Sequence, residues 1–596
     1  MDASAFVAKY RHTTLAERAV AQQHFLDLCK LAGHPEPAAI DPKGEFFTFE
    51  KGVTLAGDRK GWADVWYQNR FVIEYKGRHK NLDAAYQQLQ RYRGPLGNPP
   101  LLVVCDIDTL RIHTNFTGYV ETVHRLTLDD LLTPAGLEAI RNLFHRPEAF
   151  RPSLTREVVT QEAADRLAKI AERFRDRGFD PQRVTHFLTR VVFCLFAEDA
   201  GILPSGSFKE IADASRHDGA AFRQMIGSFF EALAHGGRFG VIKLPHVNGD
   251  LFTDADALEP DYGELEILKE ATRFDWSQID PSIFGTLFER GLDEAKRSQL
   301  GAHYTSQADI ETLIEPVVMA PLRAEWRPIQ DEAERLRATL DPASGQPSAN
   351  SPVASATGSA PESLRARIVA FLERLRGVTI LDPACGSGNF LYVALQKLLD
   401  LEKTVILTGR DTRALTDAEQ PRCGPWQLRG IEINPYAFEL AQMTVWIGHL
   451  QWRARNGYPN DRSPILSHLD GFQHKDAILA LDVAGNPVEP TWPAAEFIVG
   501  NPPFLGGKRL RAELGDATVD RMFQVWGDRV RPEADLCCYW FEKARDGIET
   551  GRHRRAGLLA TQGIRGGANR HTLARIKNSG DFFFAVSDRD WVLNGA

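Results

Sequence analysis

The sequence predicts an α/β protein in three parts: an amino-terminal α/β domain (1–150), a helical connector (151–300) and a second α/β domain (301–596). Three observations predict it. Thr379–Phe390 reads as a short strand, a glycine turn and a helix. Residues 61–105 read as a hairpin, a helix and a buried strand, and residues 156–236 carry charge and helical periodicity.

The bulk properties frame these parts. A chain of 596 residues has material for three or four domains, and 43% hydrophobic with 25% charged residues is ordinary for globular protein. A net charge of −8 means that any basic surface for nucleic acid is local. Seven cysteines without a CxxC pair exclude a disulfide framework and a zinc ribbon, and Cys537–Cys538 read as buried small apolar groups. No leader pattern opens the sequence and no run reaches membrane-spanning length, so a cytoplasmic protein with no membrane contact is expected.

In the first part, Leu15–Leu31 has apolar residues at helical spacing. Gly61–Tyr67 and Phe71–Lys76 are strands around Gln68–Asn69–Arg70. If those three residues form the loop, Tyr67 faces Phe71, Asp64 lies opposite Glu74, and Lys76 shares their face. A two-residue loop would spoil this register. Two carboxylates and an amine on one face can hold a divalent cation with hard oxygen ligands beside an attacking water, or make a plain cross-strand ion pair. Glu17 on the preceding helix, a following helix with Gln88 and Tyr92 four apart, and the strand Leu101–Cys105 surround the hairpin.

The connector is most apolar over Val184–Ala200, where His186 and Cys194 are expected in the core. The chain has no G-x-x-x-x-G-K-[ST], so an ATP-driven motor is not supported.

In the third part, Gly386 and Gly388 allow a tight turn and close approach of a ligand to a helix N-terminus. Such a turn alone suits a dinucleotide nearly as well as any other nucleotide-like cofactor. Phe497–Gly500 then leads into Asn501–Pro502–Pro503–Phe504, a planar amide, two prolines and an aromatic ring at a strand end. That group suits an extruded base: the Asn501 and Pro502 carbonyls accept from an exocyclic amine while Phe504 stacks. Leu428–Pro435 is a strand ending in acidic Glu432, with Thr404–Pro425 inserted ahead of it, and Asp476 follows in a loop. Asp341–Pro361 is rich in Ser, Pro and Ala and reads as a disordered loop.

On Asp382–Phe390 and Asn501–Phe504 together, the chain resembles the amino-methylating DNA methyltransferases, which carry a Rossmann-like domain and use S-adenosylmethionine on adenine or on the cytosine amine. The resemblance implies that Asp382, Pro383, Ala384, Gly386, Gly388 and Phe390 bind the cofactor. It implies Glu432 on the ribose hydroxyls, Asp476 on the adenine amine, and Tyr304 and Thr305 of Gly301–Thr305 at the methionine end. The hairpin resembles the Asp…Glu-x-Lys core of PD-(D/E)xK nucleases, implying Asp64 and Glu74 as Mg2+ ligands and Lys76 beside the water.

The order of these parts resembles the MmeI-like (type IIG/IIL) restriction-modification enzymes, in which one polypeptide methylates adenine in double-stranded DNA and cuts at a distance. That family continues past a Trp-Val-x-x-Gly-Ala segment into a target-recognition domain, whereas Trp591–Ala596 closes this sequence. The expectation is a truncated chain or recognition on a second polypeptide. Two other readings stay open: a phage-defence methyltransferase whose first domain only binds DNA, and a non-catalytic DNA-binding remnant.

Overall fold

The computed structural model describes residues 2–587 except 12–16, 45, 56–58, 79, 94–95, 97–98, 117–118, 154–155, 216–217, 248–249, 253, 283–284, 286–304, 341–361, 417–418, 457 and 459–468. The expected loop at 341–361, Gly301–Tyr304 and Trp591–Ala596 fall outside these residues, as does the side chain of Glu17.

Alternating strand patterns in the first part build a six-stranded mixed sheet, β1 (Phe47–Leu55), β2 (Arg59–Tyr67), β3 (Phe71–Tyr75), β4 (Leu101–Cys105), β5 (Thr109–Thr114) and β6 (Val123–Thr127), in that spatial order. Only β3 and β4 run parallel, because the helix Leu82–Tyr92 carries the chain back between them. β3 is buried along its whole length. Phe71 and Ile73 pack with Phe25, Leu28, Ile140 and Leu143 on one side, while Val72 meets Leu82, Ala85 and Leu89 on the other. The β2–β3 loop has the three-residue form, with Asn69 at φ 58°, a left-handed conformation that asparagine tolerates. Tyr67 therefore pairs with Phe71 and Val65 with Ile73.

The middle is helical: Arg156–Asp176, Pro181–Asp199, Ser207–Ala214, Gly219–His235 and Tyr262–Ala271. Local chemistry starts several of them. Asp180 caps a helix with Pro181 in its first turn, Asp218 accepts from Ala220 and Ala221, and Asp261 forms a capping box with Glu264. A short hairpin, β7 (Gly237–Phe239) and β8 (Ile242–Leu244), was not legible from periodicity. Cys194 is buried as expected, but His186 is not a core residue. It stands at a packed boundary, where its Nδ1 lies 2.9 Å from Glu439 Oε2 on the helix Pro435–Arg455.

The third part holds a five-stranded parallel sheet: β9 (Ile380–Asp382), β10 (Leu428–Glu432), β11 (Phe472–His474), β14 (Phe497–Gly500) and β15 (Arg555–Leu558). β12 (Ala480–Leu481) and β13 (Pro487–Val488) form a separate hairpin. The spatial order β11-β10-β9-β14-β15 reverses between β9 and β14, which opens a crevice beyond their carboxyl ends. One apolar core runs from the middle helices into one face of this sheet, and a second, including Leu381, Ile498, Trp526 and Trp540, covers the other.

The insertion ahead of β10 is an extension of the helix Asn389–Asp411 and a return loop. Buried Glu402 pins that loop by accepting from the Arg422 and Cys423 N–H groups and from Arg376. A long helical run, Gln307–Ile314 continuing through a π turn at Glu315–Met319 into Ala320–Leu340, lies against the edge strand. Gly557 of β15 permits this approach, since a Cβ there would stand 2.5 Å from Val317 Cγ2.

The parts meet at the end of the helix Pro435–Arg455. Arg93, next to Tyr92, donates from Nε to the Arg455 carbonyl at 2.8 Å, and Arg455 in turn donates to the Ser277 carbonyl at 2.9 Å. Among the described residues no helix is long and apolar enough to cross a membrane.

Candidate active sites

The residues singled out in the third part stand at the carboxyl ends of four neighbouring strands: Asp476 after β11, Glu432 on β10, Asp382 on β9 and Asn501 after β14. The turn after β9 needs its glycines for different reasons. Gly386 has φ 51° with open space where a Cβ would point, so that side of the turn is accessible. Gly388 has φ 86°, and a Cβ would come within 2.8 Å of the Ala441 backbone. Glu432 holds the turn, one carboxylate oxygen accepting from Gly386 N–H at 2.9 Å and the other from Asn434 N–H at 2.8 Å. The Ile433 N–H bonds the carboxylate as well, and its remaining lone-pair capacity is open to a ligand.

Burial sets the charges here. It pushes the Asp382 carboxyl up to about 8, with the nearby Glu432 charge adding to the shift against the Ala384 N–H bond. Burial also raises Glu432 and Asp476, the latter partly offset by the Ile478 and Leu479 N–H groups. Pro383 is fixed through its carbonyl, which accepts from Trp540 Nε1 at 3.0 Å. The Phe390 ring is buried in the apolar core.

Across the crevice, Asn501 donates from Nδ2 to the Thr305 hydroxyl at 3.1 Å, and Thr305 is itself buried. The Asn501 Oδ1 atom is shut from solvent and takes no hydrogen bond among the described residues. A buried amide oxygen left without a donor is costly, so this one is poised to accept from a ligand. Pro502 is buried, while Pro503 and Phe504 are half-buried. The open side of the glycine turn, the Glu432 lone pairs and the orphaned Asn501 oxygen suit a nucleoside cofactor beside an amine-bearing base.

In the hairpin, Glu74 Oε1 accepts from Lys76 Nζ at 2.7 Å and from Gln88 Nε2 at 2.6 Å, and Gln88 also donates to the Tyr92 hydroxyl at 3.0 Å. Asp64 Oδ2 accepts from the Tyr75 N–H at 2.6 Å. The expected grouping of Asp64, Glu74, Lys76, Gln88 and Tyr92 is thus on one face. Gly61 makes room for it, since a Cβ there would lie 2.4 Å from the Tyr92 hydroxyl. Two carboxylates on one face suit a hard divalent cation, which Asp64 and Glu74 would hold. Among the described residues no cluster of three or more His, Cys, Asp or Glu side chains forms a metal site, so further ligands would be main-chain oxygens or water.

Three stretches match domains of one family in chain order: residues 1–177 its N-terminal domain, 182–252 its helicase spacer domain, and 358–595 its DNA-methyltransferase domain. The chain belongs to the MmeI family.

The Type IIL restriction-modification enzyme MmeI, solved in complex with DNA, superposes with a TM-score of 0.53 at 25% identity over 70% of this chain and 53% of that one. DNA methyltransferase A of Bacillus subtilis is 29% identical over 371 residues, 59% of this chain and 38% of the relative. A Methanocaldococcus jannaschii protein named for a type II restriction enzyme and methyltransferase is 24% identical over 306 residues, 44% of this chain and 24% of the relative. The chain therefore spans less than two-fifths of the length of these curated relatives.

In this MmeI-family chain, sequence reasoning missed three features of the site. It grouped Thr305 with the cofactor and did not see its bond to Asn501. It also missed Gly500, where a Cβ would lie 2.4 Å from Asp382 Oδ1, and Gly285, where one would lie 2.6 Å from Ser387 Oγ. All three join residues far apart in sequence, and no local pattern announces them.

Proposed function

We propose that this chain is a DNA methyltransferase that moves a methyl group from S-adenosylmethionine to the exocyclic amine of adenine in double-stranded DNA. The observation that carries the reading is the buried Asn501 Oδ1 beside the β9–β14 crevice, which takes no hydrogen bond among the described residues.

S-adenosylmethionine supplies an electrophilic methyl group on a sulfonium. The adenine amine is a poor nucleophile because its lone pair is delocalised into the ring. Accepting both amine hydrogens at Asn501 Oδ1 and the Pro502 carbonyl would favour the pyramidal form, whose lone pair attacks the methyl carbon as the carbon–sulfur bond breaks with its electrons on sulfur, one amine proton then passing to solvent. Thr305, by holding Nδ2, keeps the oxygen turned toward the base. Phe504 stacks on the extruded ring. Glu432 would receive the ribose hydroxyls, Asp476 the adenine amine of the cofactor, and Thr305 its methionine end; Tyr304, which the resemblance adds there, lies outside the described residues. No covalent enzyme intermediate is needed.

The N-terminal hairpin supports a second activity on the same reading: Mg2+-dependent strand scission. Asp64 and Glu74 would hold the cation, with Lys76 orienting or activating water. Together the two activities describe a restriction-modification or phage-defence enzyme working on DNA in the cytoplasm.

Asn501→Ala tests the first activity. Transfer of labelled methyl groups to DNA should vanish while cofactor binding by calorimetry stays near that of the parent. Base analysis of the product separates N6-methyladenine from N4-methylcytosine. Undiminished transfer by the variant would remove Asn501 from the chemistry.

A further inference from the structure

The loop that follows Asn501–Phe504 is clamped from outside the residues named so far. The Leu505 carbonyl accepts from the Leu536 N–H at 2.8 Å. The Gly507 N–H donates to Asp535 Oδ1 at 3.0 Å. Gly507 is pressed so close that a Cβ would stand 2.1 Å from the Glu533 carbonyl oxygen. Asp535 is held in turn by Asn569, a residue 7% exposed at the head of the helix Arg570–Ser579.

The Asn569 amide is fully engaged. Its Oδ1 accepts from the Asp535 N–H at 2.7 Å, and its Nδ2 donates to Asp535 Oδ2 at 2.7 Å and to the Gly563 carbonyl at 3.1 Å. The Asp535 and Asn569 side chains together thus tie three stretches of backbone: Leu505–Gly507, Glu533–Leu536 and Gly563–Asn569. Burying Asn569 against the half-buried Asp535 at a loop junction is unfavourable unless the bonds are made. Here each Asp535 oxygen and both Asn569 amide atoms have a partner within 3.1 Å.

We propose that Asp535 and Asn569 are positioning residues for methyl transfer, a latch that fixes the base-facing loop from its far end. The proposal rests on the reading of Asn501–Phe504 as the base-binding segment. Neither latch residue lies on the strand carrying Asn501, and neither touches the glycine turn or Glu432 in the contacts that hold that turn. Their effect is therefore on where Pro502 and Phe504 stand, with cofactor binding left to the other side of the crevice. A bond network made by two different residue types also allows an exchange. With Asp535→Asn and Asn569→Asp together, an amide at 535 still accepts from Gly507 and can donate to the carboxylate at 569, which still accepts from the main chain of 535. The bond to Gly563 is lost, and a carboxylate oxygen then faces that carbonyl.

The test uses the whole chain in four forms: parent, Asn569→Ala, Asp535→Ala and the exchanged pair. Misplacing a reacting group by about 1 Å costs on the order of 10²-fold in rate. The single variants should lose about that much in single-turnover methyl transfer while binding S-adenosylmethionine within about twofold of the parent, and the exchange should recover most of the rate. Fluorescence of a duplex carrying 2-aminopurine at the target should fall for the single variants, because a base no longer held outside the helix returns to the duplex stack, which quenches it. Parent-like rates and fluorescence in both single variants would overturn the latch. So would loss of cofactor binding in step with loss of rate, since that is what a merely structural role produces. Absence of both methyl transfer and S-adenosylmethionine binding in the parent would instead overturn the reading on which the latch rests.

Discussion

Gly500 closes directly on Asp382: the position of a Cβ at residue 500 is 2.4 Å from the Asp382 Oδ1 atom. The two residues end adjacent parallel strands, β14 and β9, so the gap between them is the floor of the crevice. Gly500→Ala must push the strands or the carboxyl aside, a packing strain of about 1–3 kcal/mol. We expect a lower unfolding midpoint in denaturant together with weaker S-adenosylmethionine binding. A variant with the parent's midpoint and affinity would show that the floor yields at no cost.

Asp382 should make stability depend on pH. Its folded value of about 8 lies above the ordinary 3.8, so the folded state holds the proton more tightly than the unfolded chain. The resulting stabilisation is full below about pH 4 and is lost as pH rises toward 8, at up to about 1.4 kcal/mol per pH unit. Asp382→Asn cannot titrate. Denaturation of parent and variant from pH 5 to 9 should show the parent losing ground up to about pH 8, with a constant difference beyond. Parallel curves would place the carboxyl at an ordinary value.

Thr305→Val keeps the shape of the side chain and removes the hydroxyl that receives Asn501 Nδ2. With the amide free to rotate, methyl transfer should fall by about 10- to 10²-fold. Thr305→Ser should retain most of the rate. Single-turnover assays on the three proteins decide whether the bond matters, and equal rates for valine and threonine would say that it does not.

On the N-terminal sheet, Lys76→Ala removes the amine 2.7 Å from Glu74 Oε1. Metal-dependent cutting of DNA should disappear, and methyl transfer should be unchanged because the two sites share no residue. Cleavage gels with and without Mg2+, beside methylation assays, report on both. Cutting at the parent's rate would leave the hairpin a structural ion pair.

Gly388→Ala combines a left-handed backbone with an approach of 2.8 Å to the Ala441 main chain. Backbone on both sides leaves nowhere to relax, so this variant should lose cofactor binding altogether in calorimetry. Gly386→Ala meets only the backbone penalty, about 1 kcal/mol, because the space beside it is open. Similar losses in the two would contradict this difference.

What the sequence made legible was local. Period-two alternation and a three-residue loop were enough to set Asp64 opposite Glu74, because register in a hairpin propagates from its turn. The glycine turn and the acidic strand end at Glu432 were equally readable, each lying within a dozen residues of a strand. The bond between Thr305 and Asn501 spans 196 positions, and the contact of His186 with Glu439 spans 253. Such pairings depend on how helices lie across sheets, which periodicity does not encode. His186 shows the cost of reading one face at a time: a histidine on an apolar helix looked like core until the opposing helix supplied a carboxylate.

The helix Pro435–Arg455 begins beside Asn434, whose main chain is held by Glu432, and ends on the carbonyl gripped by Arg93. Its 21 residues make a strut about 30 Å long, close to nine base-pair steps of duplex. One end abuts the β9–β14 crevice and the other Arg93, the residue after Tyr92, so the strut sets the spacing between the two candidate sites. Adding or removing a residue within it would shift one pocket by about 1.5 Å and turn it by about 100° against the other. The distance and the rotation between the Glu432 end and the Arg93 end are thus set together by this helix.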